Sequence, residues 1–276
     1  MSWSHPERPQ RTIQTASGKE LELRIAENEI DLGSVAAPLI ADALGAHATP
    51  WDTPPDSGPQ PVLAFSASSV LTPTFDEFIG IYLEGWLSME RARVFCSSEF
   101  VGLGPDDAGS QRYMLNWGLL FPTDVPSDNV DCPNGGAVDP TAEASAYERR
   151  IVEAGGIDLL VLAVEADGRV AFNEPGAARD GACGVTALTD ALRTSLAADF
   201  GGRSSQVPTE GLTIGLGTLA ASVRGLLLVG SGVEAAPVLA RALTKPADES
   251  QPLSFIQDFP GRCTLALDAE AARGLP

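Results

Sequence analysis

The sequence predicts an α/β protein built on a mostly parallel sheet with helices on both faces. Two observations lead there. Short apolar runs alternate with helix-like stretches along the chain, as strands joined by crossover helices do. One run, Ile157-Asp-Leu-Leu-Val-Leu-Ala-Val164, is apolar almost throughout, as a strand covered on both faces must be. With 276 residues, 44% hydrophobic and 20% charged, the chain can bury a core of this kind.

Each element follows from local signals. Residues 1–18 are polar and expected to fray, with a first strand at 20–25. Ser34 can cap a helix that carries Val35, Leu39, Ile40 and Leu44 at helical spacing. Residues 46–61, rich in Pro, Asp and Gly, read as a loop. Pro61-Val-Leu-Ala-Phe65 reads as a buried strand and Ser66-Ala-Ser-Ser69 as the turn after it. A helix opens at Thr72-Pro-Thr, with Pro73 near its first turn, and is expected to reach residue 90. Then come a strand at 92–96, a helix over 111–120, an irregular stretch at 122–140, and a helix at 141–154 closed by Gly155-Gly156. Further strands are expected at 211–216, 224–229 and 263–267, with helices at 217–222 and 233–243 between them. No repeat, linker or low-complexity tract interrupts the order, so residues 1–276 are expected to form a single domain.

Composition excludes several functions. The net charge is −19 and the only lysines are Lys19 and Lys245. A nucleic-acid phosphate backbone is bound by clustered Lys and Arg, so no nucleic-acid partner is expected, and the acidity reads as a solvated surface. Cys96, Cys132, Cys183 and Cys263 lie far apart with no C-x-x-C pair. Neither a zinc site nor a disulfide framework is indicated, and reduced, unpaired thiols are expected. The N-terminus has no apolar signal core, and no apolar stretch approaches the ~20 residues of a membrane span. A cytoplasmic location without a membrane partner is the expectation. The only histidines are His5 and His47, which disfavours Ser-His-Asp hydrolysis, His-ligated metals and a His general base at residues 90–240.

Sites in such sheets form at the carboxyl ends of strands. Three exits qualify: Ser66-Ala-Ser-Ser69, Ser97-Ser-Glu-Phe-Val-Gly-Leu103, and the segment after residue 164, where Glu165, Asp167, Arg169, Asn173 and Glu174 fall together. The last segment carries a resemblance. Gly156-Ile-Asp-Leu followed by Asp167-Gly-Arg-Val-Ala-Phe-Asn-Glu-Pro-Gly176 resembles the glucosamine-6-phosphate deaminase signature, G-I-D-L then G-x-G-x-D-G-H-I-A-F-N-E-P-G. Glu99-Phe-Val-Gly-Leu103 is similar to that family's D-E-Y-V-G-L, and Ser110-Gln-Arg-Tyr-Met-Leu-Asn116 to its S-Y-R-Y-F-L-N. Val207-Pro208 and Leu212-Thr-Ile-Gly-Leu-Gly-Thr-Leu219 are similar to its V-P and L-T-V-G-V-G-T-L. The resemblance implies the modified Rossmann-like fold shared with 6-phosphogluconolactonases and ribose-phosphate isomerases.

It also implies a reaction: ring opening of an amino-sugar phosphate, proton transfer between C1 and C2, and release of ammonia. Asp167 and Glu174 match the family's ring-opening Asp and Glu, but its His is Arg169 here and its proton-shuttling Asp is Ser98, beside Glu99. A guanidinium cannot serve as a base at neutral pH, and a serine hydroxyl is a poor one without an activating partner. The family's T-G-G-T phosphate loop falls on Ala67-Ser-Ser-Val70, its anchoring Arg on Ala198 and its Lys on Val233. Arg193 and Arg203 are nearby substitutes. Glu165 stands where the family has a glycine, so it and Glu99 are candidate new acid/base groups. If Glu165 and Asp167 enter one cleft, like-charge repulsion should leave a proton on one of them. Ser66, Ser68, Ser69 and Asn173 are candidate substrate contacts. The leading expectation is an acid/base enzyme acting on a small, unphosphorylated sugar-like metabolite without metal or cofactor. A catalytically silent binding protein and a true glucosamine-6-phosphate deaminase are the alternatives. Assembly into a homo-oligomer is left open.

Overall fold

The computed structural model describes residues 10–45 and 58–275; the two histidines and most of the loop expected at 46–61 lie outside them. The chain begins with β1 (Gln10–Gln14) and β2 (Glu20–Ala26). Residues 10–14, expected to fray, instead pair antiparallel with β2, and Ile13 is buried. Helix α1 (Gly33–Ala43) follows a short 3-10 turn. Ser34 lies inside the helix and donates to the Asp31 carbonyl at 2.7 Å rather than capping it. Gly33 fits there because a Cβ would stand 2.2 Å from the Pro73 carbonyl oxygen.

Next come β3 (Val62–Phe65), α2 (Thr72–Leu83) and β4 (Arg93–Cys96). Helix α2 stops short of residue 90 because Gly85 turns left-handed, φ +82. Trp86 N–H reaches the Ile81 carbonyl and Gly85 N–H the Tyr82 carbonyl, the bond pair of a Schellman cap. After β5 (Ser98–Phe100), helix α3 (Gln111–Leu115) continues as a π-helical turn over Asn116–Leu120. The stretch expected to be irregular contains β6 (Val130–Asp131). Then follow α4 (Pro140–Glu153), β7 (Leu159–Ala163), β8 (Gly184–Ala187), α5 (Asp190–Ser195) and β9 (Glu210–Thr213). Helix α6 (Leu216–Ser222), β10 (Gly225–Gly230), α7 (Ala235–Thr244) and β11 (Arg262–Asp268) complete the chain.

Eight strands form one sheet in the order β1-β2-β11-β10-β7-β3-β4-β6. Every pairing in it except β1–β2 is parallel. Alternate residues feed two cores, as a pleated strand requires. Leu160, Leu162, Leu226 and Leu228 pack with Tyr147, Ile151, Leu219 and Leu239 on one face. Val161, Ala163, Leu227 and Val229 pack with Ile40, Phe75, Phe78 and Leu119 on the other. Helices therefore cover both faces, as the sequence predicts.

Two corrections concern the rest. The strand expected at 211–216 does not join the parallel sheet. It ends at Thr213 and pairs antiparallel with β5 and β8 in a separate three-stranded sheet. The cysteines were expected to be unpaired, yet Cys96 and Cys132 are bonded. They are 36 residues apart, but β4 and β6 are neighbouring parallel strands, which brings their Cα atoms to 4.7 Å, within disulfide range. Cys183 and Cys263 are free and buried. Among the described residues no helix is long and apolar enough to cross a membrane.

Candidate active site

The sheet switches direction between β3 and β7. The chain runs outward from β3 to β4 and β6 on one side, and from β7 to β10 and β11 on the other. A crevice opens at the carboxyl ends of adjacent strands at such a point. Here a cleft of about 350 Å³, counting its open mouth, is lined by Ser66, Ser98, Gln111, Glu165, Arg169 and Phe172, among others.

Each polar side chain reaches the cleft for a local reason. Ser66 follows β3; its N–H donates to the Val161 carbonyl at 3.0 Å and its Oγ accepts from Ala163 N–H at 3.2 Å, tying the two strand ends together. Ser97 and Ser98 are the crossing from the large sheet to the small one: Ser97 N–H donates to Phe65 and its carbonyl accepts from Ile214. Ser98 is buried, and among the described residues its hydroxyl has one hydrogen-bond partner, the Ser97 hydroxyl at 3.5 Å. Glu165 and Arg169 stand on the turn after β7, where Gly168 adopts φ +73.

Arg169 is the centre of the charge arrangement. Its guanidinium, 9% exposed, donates to Asp167 Oδ2 at 2.9 Å and pairs with Glu165 Oε2 at 3.2 Å. Its N–H also donates to Asp167 Oδ1. The two carboxylates therefore do not face each other unbalanced, as an isolated Glu165–Asp167 pair would. Glu165 Oε1 has no hydrogen-bond partner among the described residues. Two carboxylates and one guanidinium leave this group with a net negative charge.

Other expected site residues are employed elsewhere. Glu99 is buried but does not line the cleft. It accepts from the N–H groups of Phe100, Gln111 and Arg112 and from the Ser110 hydroxyl, which places its charge at the N-terminus of α3. Burial pushes its pKa up, opposed by these four donors. Glu174 accepts from Thr189 N–H at 2.9 Å and from the Thr189 hydroxyl, bracing the residue that caps α5. Asn173 donates to the Val170 and Ile214 carbonyls, both at 2.8 Å. Ser68 accepts from Val70 N–H and Ser69 is exposed; neither lines the cleft.

The residues expected at the anchor positions carry no cation into the cleft. Ala198 and Val233 are exposed. Arg193 is held by the Val207 and Ser204 carbonyls and by Asp190, and neither it nor Arg203 lines the cleft. Among the described residues no cluster of three His, Cys, Asp or Glu side chains could hold a metal ion.

Gln111 and Ala171 are among the lining residues that had no role in the sequence reading. Gln111 occupies the second position of Ser110-Gln-Arg-Tyr, where the related motif carries Tyr, and that difference was the available signal. Ala171 is the one non-glycine residue with positive φ, +52, among the described residues. Nothing in its own identity marks that conformation.

A cleft at the switch point of this sheet defines the class: α/β proteins with a small-molecule site at the carboxyl ends of their parallel strands. A monomeric glucosamine-6-phosphate deaminase of known structure superposes with a TM-score of 0.80 at 25% identity, over 91% of this chain and 98% of its own. A 6-phosphogluconolactonase from Leishmania guyanensis superposes with a TM-score of 0.71 at 21% identity, over 92% and 98%, a likeness of fold alone. The chain is 33% identical to a glucosamine-6-phosphate deaminase of Mycolicibacterium smegmatis, over 92% of both chains. It is 32% identical to that of Beutenbergia cavernae, over 86% of this chain and 88% of the relative. It belongs to the glucosamine-6-phosphate deaminase family. No family model matches it.

Proposed function

We propose that the protein is a divergent member of this family that moves protons by acid/base chemistry on a small, unphosphorylated, amino-sugar-like metabolite. The observation that carries the reading is Glu165. It is a carboxylate in the cleft with one oxygen paired to Arg169 and the other unengaged, as a proton acceptor needs. The two charged residues that line the cleft, Glu165 and Arg169, balance each other, and Asp167 adds a negative charge beside them without lining it; with Arg169 already paired, such a site favours an ammonium group over a phosphate. Arg169, held between Glu165 and Asp167, serves to fix Glu165, not to take a proton. Ser98 lies within the same cleft as a hydrogen-bonding group.

The name shared by the relatives favours glucosamine-6-phosphate deamination itself. Against it stand Arg169 and Ser98 at the positions of the family's His and Asp, and the missing anchor. A silent binding protein draws support from the guanidinium that already occupies Glu165. We place its action in the cytoplasm, against which stands the Cys96–Cys132 pairing, of a kind kept in oxidising compartments.

The test is solvent exchange. The protein is incubated with unphosphorylated amino sugars in D2O, and deuterium at the carbon beside the carbonyl is followed together with ammonia. Wild type is expected to exchange and Glu165→Gln to lose the exchange at least a hundredfold, the size of a general-base contribution. Exchange that survives in Glu165→Gln would remove the role assigned to that carboxylate.

A further inference from the structure

Gln111 is the first residue of α3, and its backbone N–H is fixed by the Glu99 carboxylate at 3.0 Å. Its residue is 6% exposed, and it lines the cleft with Ser98, Glu165 and Arg169. Its side-chain carboxamide makes no hydrogen bond among the described residues. A carboxamide carries two donor hydrogens and an acceptor oxygen; here they open onto the cleft, since among the described residues Thr74 Oγ1 is the one fully buried side-chain polar atom without a partner. The neighbouring groups are committed: Arg169 to two carboxylates, Ser66 to the Ala163 N–H. Gln111 is therefore a polar group fixed in position at its backbone and unmatched at its tip.

We propose that Gln111 is a specificity-determining residue of the cleft, whose carboxamide hydrogen-bonds a hydroxyl or carbonyl group of the bound ligand. It enters from α3, while Glu165 and Arg169 enter from the end of β7, so a ligand between them is read from two elements. A neutral amide recognises uncharged polar substituents and adds nothing to the attraction of a phosphate. This inference rests on the reading that the cleft takes a small, unphosphorylated polar ligand.

The test uses the side-chain NH2 signals of Gln111, assigned by their loss in Gln111→Leu, and the Nε–H signal of Arg169. Wild-type protein is titrated with D-glucosamine, D-glucose, D-sorbitol and D-glucosamine 6-phosphate. The expected result is that D-glucosamine moves both sets of signals and that Gln111→Leu weakens its binding tenfold or more. Gln111→Glu, which keeps the shape and adds a negative charge, should raise the preference for D-glucosamine over D-glucose at least threefold. It also serves should the leucine variant fail to fold. If Arg169 responds while Gln111 stays still and both variants bind as wild type does, the role of Gln111 is overturned and the wider reading stands. If only the phosphorylated sugar moves both residues, the wider reading falls and Gln111 keeps its contact. If no probe moves either residue, both fall.

Discussion

Arg169 lies between two carboxylates that the sequence places just ahead of the Gly168 turn, 3.2 Å from Glu165 and 2.9 Å from Asp167. The guanidinium is 9% exposed, Glu165 25% and Asp167 36%. The positive charge is thus the most buried member of the group, and the carboxylates are what keep it paired.

That asymmetry sets the response to mutation. Glu165→Gln leaves Arg169 with Asp167, so stability should fall by no more than about 1 kcal/mol, in the range of a partly exposed pair. Glu165→Ala combined with Asp167→Ala strands a buried guanidinium and should cost about 3–5 kcal/mol. Urea denaturation of Glu165→Ala, Asp167→Ala and the double variant reads this directly. A double variant no less stable than the sum of small single effects would mean that solvent reaches Arg169.

Ala171 lines the cleft with φ +52. Left-handed backbone costs a residue with a Cβ roughly 1–2 kcal/mol, and such strain gathers at functional sites. Ala171→Gly should raise the melting temperature by relieving it, against the usual destabilising direction of Ala to Gly. Ala171→Val should lower it. A lower melting temperature for the glycine variant would contradict the strained conformation.

The cysteines separate into two kinds. Native protein without reductant should take up no iodoacetamide, because Cys96 and Cys132 are bonded and Cys183 and Cys263 are buried. Denatured without reductant it should take up two labels, on Cys183 and Cys263. After reduction all the cysteines should react. Four labels on denatured, unreduced protein would show that Cys96 and Cys132 are thiols.

Burial also pushes the thiols of Cys183 and Cys263 up to about 12 from 9.0, and the buried Tyr147 phenol well above its usual value. The folded state therefore keeps protons that the unfolded chain releases. This contribution is intact below about pH 9 and is lost as the pH climbs toward 12. Each thiol adds a slope of at most about 1.4 kcal/mol per pH unit. Denaturation midpoints between pH 8 and pH 11 should fall, and less steeply in Cys263→Ala. A flat profile would mean that these thiols are not desolvated.

The parallel sheet was legible because burial on both faces removes polar residues from strands such as Leu159–Ala163 and Gly225–Gly230. The small antiparallel sheet was not: Ser98–Phe100 holds a buried Ser and Glu, and Gly184–Ala187 is short and partly exposed, so neither carries a strand period. The same limit applies to the site. Glu165 and Arg169 could be placed at a strand exit from order alone. That Glu99 caps α3, and that Glu174 braces Thr189, depends on segments brought together from 11 to 15 residues away. Cys96 and Cys132 meet only because β4 and β6 are adjacent, which no spacing rule gives.

The most direct test of the account is calorimetry on one matched pair, D-glucosamine and D-glucosamine 6-phosphate, with the same protein at the same ionic strength. Arg169 is committed to Glu165 and Asp167, and the residues expected at the anchor positions, Ala198 and Val233, carry no charge. The phosphate should therefore add no affinity, and its charge should reduce it. Tenfold or tighter binding of the phosphorylated sugar, about 1.4 kcal/mol, would contradict this and show that a phosphate anchor has been rebuilt from other residues.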